Sequence, residues 1–583
     1  MKKFILFLAA AVSLLAFNSC RDYELEEERS EENNDVAPIK SDVDYLVMHY
    51  GAGGGNLDTF MVSNIVQAID EGGSDKVAMT FEYKLSKKLQ TEQSLKNFDG
   101  ARRMTLDENA HLQGQFQSMS KNYPRLDQPS FNYYVDNIKS EKIGGSDYDM
   151  SNHENLAEFI SWSKKKYPKA KRTILVIHGH GNGWGLADGK AQLQSQSQSR
   201  GILPDDNLGN KHFNAVDVVN GVNKAGGVDV FYTDACLMSM YENIYTYAKA
   251  FKYFMAAGET TPGVGGDYRK LLSVLKSAGN TDAEFEDAMH KYADHCVSDQ
   301  WWGKRSDGEI KCCDIGLYNL SKLSTLTPVM QKIASTLTEK FTSTESIEPT
   351  AAEVPYSDKF APYIRRSVTR CVTLTRDDYI EQDALPAALL PYLRKDILSL
   401  SGNKYFFMSW LIKWVRNAEG DNAQAAYEAF PEEWEKLRQI IIRRTYFSFS
   451  LTDLLSQIDS ELNAVGAQNN PFGRLHDDLI SALKSIAYIA CTEPEDLPFE
   501  QAYEFCSPGI FIVPFNETYK TDDNPYYENH PNVEESLSYY QVSDFDKAVG
   551  WSSFLKVIDV IPSVLHNPGR QSIMVFPDGT IIR

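Results

Sequence analysis

Short apolar runs alternate with amphipathic stretches along the first half of the chain. Apolar runs that end at glycine or a polar residue are typical of buried strands, whereas apolar residues three and four positions apart are typical of helices. The pattern predicts strands at 44–50, 76–83, 173–177 and 228–233. It predicts helices at 57–69, 155–167, 213–225 and 237–251.

Strands that alternate with helices of this length indicate βαβ units. We therefore predict an α/β core at residues 41–300, a doubly wound, mainly parallel sheet flanked by helices. Functional groups in such sheets gather beyond the carboxyl ends of the strands. Residues 301–583 are predicted to be mainly helical, with helices at 320–341, 385–400, 432–443, 451–462 and 475–490 and strands at 509–513 and 571–582.

The first residues have the pattern of an export signal. Lys2 and Lys3 precede the apolar run Phe4–Phe17, which is too short to span a bilayer comfortably. The following Cys20 completes a segment that resembles a bacterial lipobox, so we predict a lipoprotein signal peptide at 1–19 and a lipid on Cys20. An ordinary signal peptide beside an incidental cysteine is the alternative.

Residues 20–40 are rich in glutamate and predict a solvated acidic tether. We expect the protein in the cell envelope, on the outer membrane or surface of a Gram-negative bacterium, with a lipid as its only membrane contact.

Charge and cysteine content narrow the function. The 583 residues include 59 Lys and Arg and 80 Asp and Glu, a net charge of −21. Such an acidic surface repels phosphate backbones, so we expect no nucleic-acid partner. Eight cysteines are too few for a disulfide scaffold in a chain of this length.

Two reactive side chains follow neighbouring segments of the pattern. His178 ends the third predicted strand, and Cys236 follows the fourth, just before a predicted helix. If the strands are adjacent, both side chains open into one crevice, where the histidine activates the thiol. The helix N-terminus would favour the thiolate. The N–H groups of Gly179 and Cys236 are candidates to hold an oxyanion.

Two nearby residues add alternatives. Asp234 lies two residues before Cys236 and could pair with an arginine or lysine of a substrate. His180 lies two residues after His178 and competes with it for the role of base. We favour His178, because it ends the strand directly.

Residues 174–184 together with 234–238 resemble the clostripain family of cysteine peptidases, whose core is similar to that of caspases, gingipains and legumains. Further stretches that resemble the family are 50–57, 257–263, 317–323, 506–514 and 551–555. The resemblance implies Cys236 as nucleophile, His178 as general acid and base, and Asp234 at the base of the substrate pocket. It also implies protein or peptide substrates cleaved after arginine, less often lysine.

Several members of that family cut themselves between the catalytic histidine and cysteine. Here residues 186–211 are predicted to be a flexible processing loop, because 194–199 is a run of Gln and Ser. Arg200 is the first candidate for cleavage and Lys190 the second. The resemblance requires no cofactor, but calcium stays open, because some members respond to it.

The sequence therefore favours a lipid-anchored cysteine endopeptidase. The alternative from another class is a non-catalytic surface lipoprotein that keeps a caspase-like scaffold for binding. A thiol-dependent transferase or hydrolase that acts on something other than peptides is a third hypothesis.

Overall fold

The computed structural model describes residues 36–40, 42–53, 57–86, 98–115, 136–181, 183–184, 201–209, 211–259, 261–302, 313–348, 359–371, 387–392, 423–431, 433–434, 448–492, 506–511, 540–558, 563–565, 573–575 and 581–582. Of the first of two units, Met1–Pro38, only residues 36–38 are among these. The second unit, Ile39–Arg583, contains all the elements described.

A nine-stranded sheet organises the described part of the second unit. Its strands, in chain order, are β1 (Tyr45–Ala52), β2 (Val77–Lys84), β3 (Ala101–Thr105), β4 (Glu141–Gly144), β5 (Arg172–His178), β8 (Val230–Asp234), β9 (Tyr253–Ala256), β10 (Asp314–Asn319) and β12 (Ala487–Cys491). The spatial order is β12-β10-β9-β8-β5-β1-β2-β3-β4. The five central strands, in spatial order β9, β8, β5, β1 and β2, are parallel to one another. On one side β10 and β12, and on the other side β3 and β4, each pair antiparallel with the strand next to them.

Seven smaller strands complete the set in the described residues. They are β6 (Ile202–Asp205), β7 (Lys211–Phe213), β11 (Ser448–Ser450), β13 (Gly509–Phe511), β14 (Ser563–Leu565), β15 (Ile573–Val575) and, at the end of the chain, the two-residue β16 (Ile581–Ile582). β6 pairs with β7, β11 with β13, and β15 with both β14 and β16.

Helices cover both faces of the sheet. The α-helices are α1 (Asp58–Glu71), α2 (His153–Lys166), α3 (Ala215–Lys224), α4 (Tyr241–Tyr247), α5 (Tyr268–Ser277), α6 (Asp282–Val297), α7 (Leu323–Thr342), α8 (Ala361–Cys371), α9 (Ala423–Ala429), α10 (Leu451–Ala464), α11 (Phe472–Ile486), α12 (Asp544–Val549) and α13 (Ser552–Val557). Short 3-10 helices lie at Asp107–Leu112, Asp206–Leu208, Leu320–Lys322 and Ala387–Tyr392.

Two apolar layers account for this arrangement. Helices α1, α5 and α6 pack on one face of the sheet, and α2, α3, α4, α7, α8 and α10 to α13 pack on the other. Strands covered on both faces are apolar at nearly every position, and β1 and β2 are buried throughout. The predicted α/β class, a doubly wound and mainly parallel sheet flanked by helices, is confirmed.

The C-terminal region differs from its prediction. The sheet includes strands from beyond residue 300, since β10 and β12 extend it past β9. The helix predicted at 475–490 ends at Ile486, and 487–491 forms β12. The alternation of that segment is compatible with a helix, and only its pairing with the distant β10 makes it a strand. Of the helices predicted at 385–400 and 432–443, most residues lie outside the described ones.

Part of the predicted processing loop is ordered. Strand β6 lies within residues 186–211; it pairs antiparallel with β7, and an isolated bridge joins its Ile202 to Gly181. Asp205, at the end of β6, forms an ion pair with Lys84, and each of these side chains is only 1% exposed. The Lys84 ammonium also donates to the Tyr148 carbonyl at 2.6 Å. These contacts fix β6 to the end of β2.

Replacement of Lys84 by methionine leaves the Asp205 carboxylate buried without its cation. We expect this variant to lose about 3–5 kcal/mol of unfolding free energy, the usual cost of breaking a buried ion pair from one side. Lys224→Met, which breaks an exposed pair with Glu154, is the matched control and should lose less than about 1 kcal/mol. Urea unfolding measures both, and equal losses would contradict the importance of the buried pair.

Candidate active site

The strand that carries His178 lies directly beside the strand that leads to Cys236. β5 and β8 are parallel neighbours, and His178 is opposite Asp234 in their register. Both strands end at the same edge of the sheet, and Cys236 follows two residues beyond β8. The predicted adjacency of these two strands is thus confirmed, and it places the histidine and cysteine segments at one edge.

The Asp234 carboxylate is the centre of a buried hydrogen-bond network. Its side chain is 1% exposed. It accepts from His178 Nδ1 at 3.1 Å, from the Gly266 N–H at 3.0 Å and from the Tyr268 hydroxyl at 2.8 Å. Burial alone would raise the pKa of Asp234, but the charge and hydrogen bond of His178 and the other donors hold it below its usual value.

These contacts differ from the predicted position of Asp234 at the base of a substrate pocket. Oδ2 accepts from all three donors, Oδ1 accepts the Gly266 N–H, and the side chain is closed off from solvent, so the carboxylate faces protein groups rather than the cation of a substrate. The physical reason is the strand register, which turns the Asp234 side chain toward His178. In this structure Asp234 orients the imidazole.

The turn that donates to Asp234 is itself fixed by two tryptophans. The indole N–H groups of Trp301 and Trp302 both donate to the Gly265 carbonyl at 2.8 Å. Gly265 has φ +64°, and a Cβ there would lie 2.6 Å from Asp234 Oδ2, so the turn requires glycine. No local sequence pattern reveals this shared acceptor.

The two histidines differ in exposure. His178 is 2% exposed, and its ring lies 5.5 Å from that of His49. Burial lowers the pKa of His49 to about 3, so His49 is neutral beside His178. His180 is half-buried in the loop after β5, flanked by glycines. The buried position of His178 differs from the predicted opening into a crevice, and its role as base stays a prediction.

The glycines around His180 bring its loop against the nucleophile segment. A Cβ on Gly181 would lie 2.3 Å from the Cys236 carbonyl oxygen, so only glycine allows this approach. The Leu203 N–H donates to the His180 carbonyl at 2.9 Å and braces the loop from the side of β6. The backbone of this loop therefore lies against the Cys236 segment.

The sulfur of Cys236 is held by Thr261. The Thr261 N–H donates to Sγ at 3.3 Å, and the Thr261 hydroxyl and carbonyl oxygens lie 3.5 and 3.7 Å from it. The helix predicted to start at Leu237 is wrong in its first turn, because Leu237 has φ +62° and α4 begins at Tyr241. The Thr261 N–H, rather than a helix N-terminus, is the dipole that faces the sulfur.

The two N–H groups predicted to hold an oxyanion, those of Gly179 and Cys236, differ in their hydrogen bonds. The Gly179 N–H donates to the Asp234 carbonyl at 3.3 Å and is engaged within the sheet edge. Within the described part of the chain, no hydrogen-bond acceptor pairs with the Cys236 N–H. Cys236 therefore keeps a donor next to its own sulfur, whereas Gly179 would have to give up a backbone bond.

The remaining candidates lie elsewhere. Cys20, Lys190 and Arg200 are outside the described residues. In the part of the chain that the structure describes, no group of three or more His, Cys, Asp or Glu side chains could hold a metal ion. No helix in that same part is long and apolar enough to cross a membrane. Cysteines 236, 296, 313, 491 and 506 are free thiols.

A model of the clostripain family, peptidase family C11, matches residues 133–463, more than half of the chain. The chain belongs to the clostripain family. It is therefore a cysteine peptidase, and membership favours catalysis over the alternative of a binding scaffold. No curated protein matches the chain.

Solved structures of C11 proteases are similar to this member of the clostripain family. A secreted enzyme from Bacteroides thetaiotaomicron, bound to an irreversible peptide inhibitor, is 12% identical with a TM-score of 0.43, over 88% of this chain and 100% of that one. An inactive zymogen from Parabacteroides distasonis is 12% identical with a TM-score of 0.43, over 88% of this chain and 99% of that one. A secreted B. thetaiotaomicron protease called iotapain is 16% identical with a TM-score of 0.35, over 51% of this chain and 72% of that one.

Replacement of Asp234 by asparagine tests the network through its pH dependence. The folded pKa lies below the ordinary 3.8, so the ionised carboxylate stabilises the fold above that value, and this contribution is lost as the pH falls through the folded pKa. We expect Asp234→Asn to lose about 1–3 kcal/mol of unfolding free energy at pH 7, and the loss to shrink below about pH 4.

Urea unfolding from pH 7 to pH 3 measures this, with Asp477→Asn as an exposed control that should show no loss. A loss that stays constant across the whole range would contradict an ionised Asp234.

Proposed function

We propose that this cysteine peptidase is an exported, lipid-anchored endopeptidase that cleaves after arginine or lysine, with Cys236 as its nucleophile. The observation that carries the proposal is the edge where β5 and β8 end side by side. There the Cys236 sulfur accepts the Thr261 N–H, and two histidines stand on the neighbouring segment.

The chemistry follows from these groups. The histidine takes the proton of the thiol, and Sγ attacks the carbonyl carbon of the substrate. The Cys236 N–H faces the oxygen that becomes negative. The peptide C–N bond then breaks, the amine leaves with the proton from the histidine, and a thioester forms. Water, deprotonated by the same histidine, hydrolyses the thioester and releases the thiol.

The hydrogen bonds of His178 favour it as the base. A base of this kind is oriented by an acceptor on one ring nitrogen and exchanges the proton through the other. His178 Nδ1 bonds the Asp234 carboxylate at 3.1 Å, which leaves Nε2 for the reacting groups. We therefore propose His178 as the base. His180, half-buried on the loop whose backbone contacts the Cys236 segment, is the competing assignment.

Specificity for arginine or lysine requires an acidic group near the sulfur. Since the Asp234 carboxylate is enclosed, Glu259 is the acid we propose. It is half-buried, its carbonyl accepts the Leu237 N–H at 3.2 Å, and it lies two residues before Thr261. A carboxylate at this place can pair with a guanidinium or an ammonium of the substrate.

A panel of fluorogenic peptides with Arg, Lys, Asp or Leu before the bond tests activity and specificity. We expect turnover after Arg and Lys only, a loss on the order of 10⁴-fold or more in Cys236→Ala, and a lower kcat/KM for Arg and Lys in Glu259→Gln. His178→Asn should abolish turnover, whereas His180→Asn should leave a measurable rate. Turnover after Asp or Leu would contradict the specificity, and the reverse order of the two histidine variants would assign the base to His180.

Export and self-processing are proposed from the sequence. The lipobox-like segment that ends at Cys20 supports a lipid anchor, and the position of Arg200 before β6 supports a cut there. The Lys84–Asp205 ion pair would keep β6 attached to the sheet after such a cut.

Mass spectrometry of the mature protein tests both together. We expect an acylated Cys20 at the new N-terminus and two fragments produced by cleavage between Arg200 and Gly201. In Cys236→Ala the chain should stay uncut but still acylated. An unmodified N-terminus would contradict the anchor, and a cut at Arg200 in that variant would show that another protease makes it.

A further inference from the structure

Asp314 is a buried carboxylate that the chemistry above does not use. It is the first residue of β10, which runs antiparallel to β9, so it lies at the same edge where the parallel strands end. Its side chain accepts the Gly258 N–H at 2.9 Å and the Glu259 N–H at 2.7 Å. Burial raises the pKa of Asp314 to about 6, so it is ionised at neutral pH.

The segment that Asp314 holds is the one that contacts the nucleophile. Two hydrogen bonds join it to the backbone after Cys236: the Leu237 N–H donates to Glu259 O at 3.2 Å, and the Ser239 N–H to Ala257 O at 2.8 Å. Two residues past Glu259, the Thr261 N–H donates to Cys236 Sγ at 3.3 Å. Asp314 therefore contacts the backbone just before Thr261, and the N–H of Thr261 contacts the sulfur.

We propose that Asp314 is a positioning residue for the peptidase reaction: by accepting the N–H groups of Gly258 and Glu259, it fixes the Thr261 N–H on the sulfur of Cys236 and so favours the thiolate. This deepens the proposed function and rests on Cys236 being the nucleophile. It also assigns a catalytic purpose to β10, a strand beyond residue 300.

The geometry around Gly258 supports this role. A Cβ there would lie 2.9 Å from Asp314 Oδ2, so the backbone approaches the carboxylate as closely as glycine allows. A charge-assisted bond from a backbone N–H to a carboxylate is stronger than a neutral one, and two of them on one side chain leave the turn little freedom.

The test measures the alkylation of Cys236 by iodoacetamide across pH, mapped at that residue by peptide mass spectrometry in the full chain. In Asp314→Asn an amide NH₂ would face the N–H donors, so the Thr261 N–H would leave the sulfur. We expect the midpoint for alkylation to rise by roughly one pH unit, tenfold in thiolate at a fixed pH. We expect kcat on an Arg peptide to fall on the order of 10- to 100-fold, with KM little changed.

Two further variants keep the outcome decisive. Gly258→Ala presses on the same carboxylate and should shift the midpoint in the same direction, so it carries the test if Asp314→Asn does not fold. Asp229→Asn is the matched control: this carboxylate also accepts a backbone N–H, that of Thr173 at 2.7 Å, but at the opposite edge of the sheet. It should leave the midpoint unchanged.

An unchanged midpoint in folded Asp314→Asn, or in Gly258→Ala where the first variant does not fold, would overturn the proposal, even if stability or kcat falls. A shifted midpoint in a chain that cleaves no peptide of the panel would keep the positioning role and reject the proposed function.

Discussion

The parallel pairing of β5 with β8 is the constraint on which the site depends. It sets His178 opposite Asp234, and a slip of one residue would turn the Asp234 side chain to the other face of the sheet. The strands are held in this register by apolar layers on both faces, not by the polar groups at their ends. The sheet therefore provides the precision, and the loops beyond it carry the reactive atoms.

Buried carboxylates give those loops their shape. Asp234 fixes the turn at Gly265–Gly266, and Asp314 fixes the turn at Gly258–Glu259. A buried carboxylate needs several donors to offset the loss of water, and backbone N–H groups of a tight turn supply them. In each turn a glycine lets the backbone come within reach of the oxygens. Two turns near the cysteine segment are thus each fixed by a buried carboxylate that accepts backbone N–H groups.

The spacing of apolar and polar residues predicted the strands and helices that depend mainly on local sequence. The strands and helices that were predicted up to residue 234 appear within a few residues of their bounds, whereas the short strands β3, β4, β6 and β7 were not predicted. The contacts of the site could not be predicted in the same way. Asp314, Thr261 and the two tryptophans meet the site through pairings distant in sequence, and the conformation of Leu237 breaks the helical pattern that its neighbours suggest.

The outer partner of β10 comes from far along the chain. Asp314 pairs in register with Cys491, so β10 is an edge strand until β12 has been synthesised. An unpaired edge with an apolar sequence is a template for aggregation. Synthesis must therefore reach residue 491 of the 583 before this side of the sheet can close. A nascent or truncated chain that stops short of this residue leaves the strand that holds the Gly258–Glu259 turn without its outer neighbour.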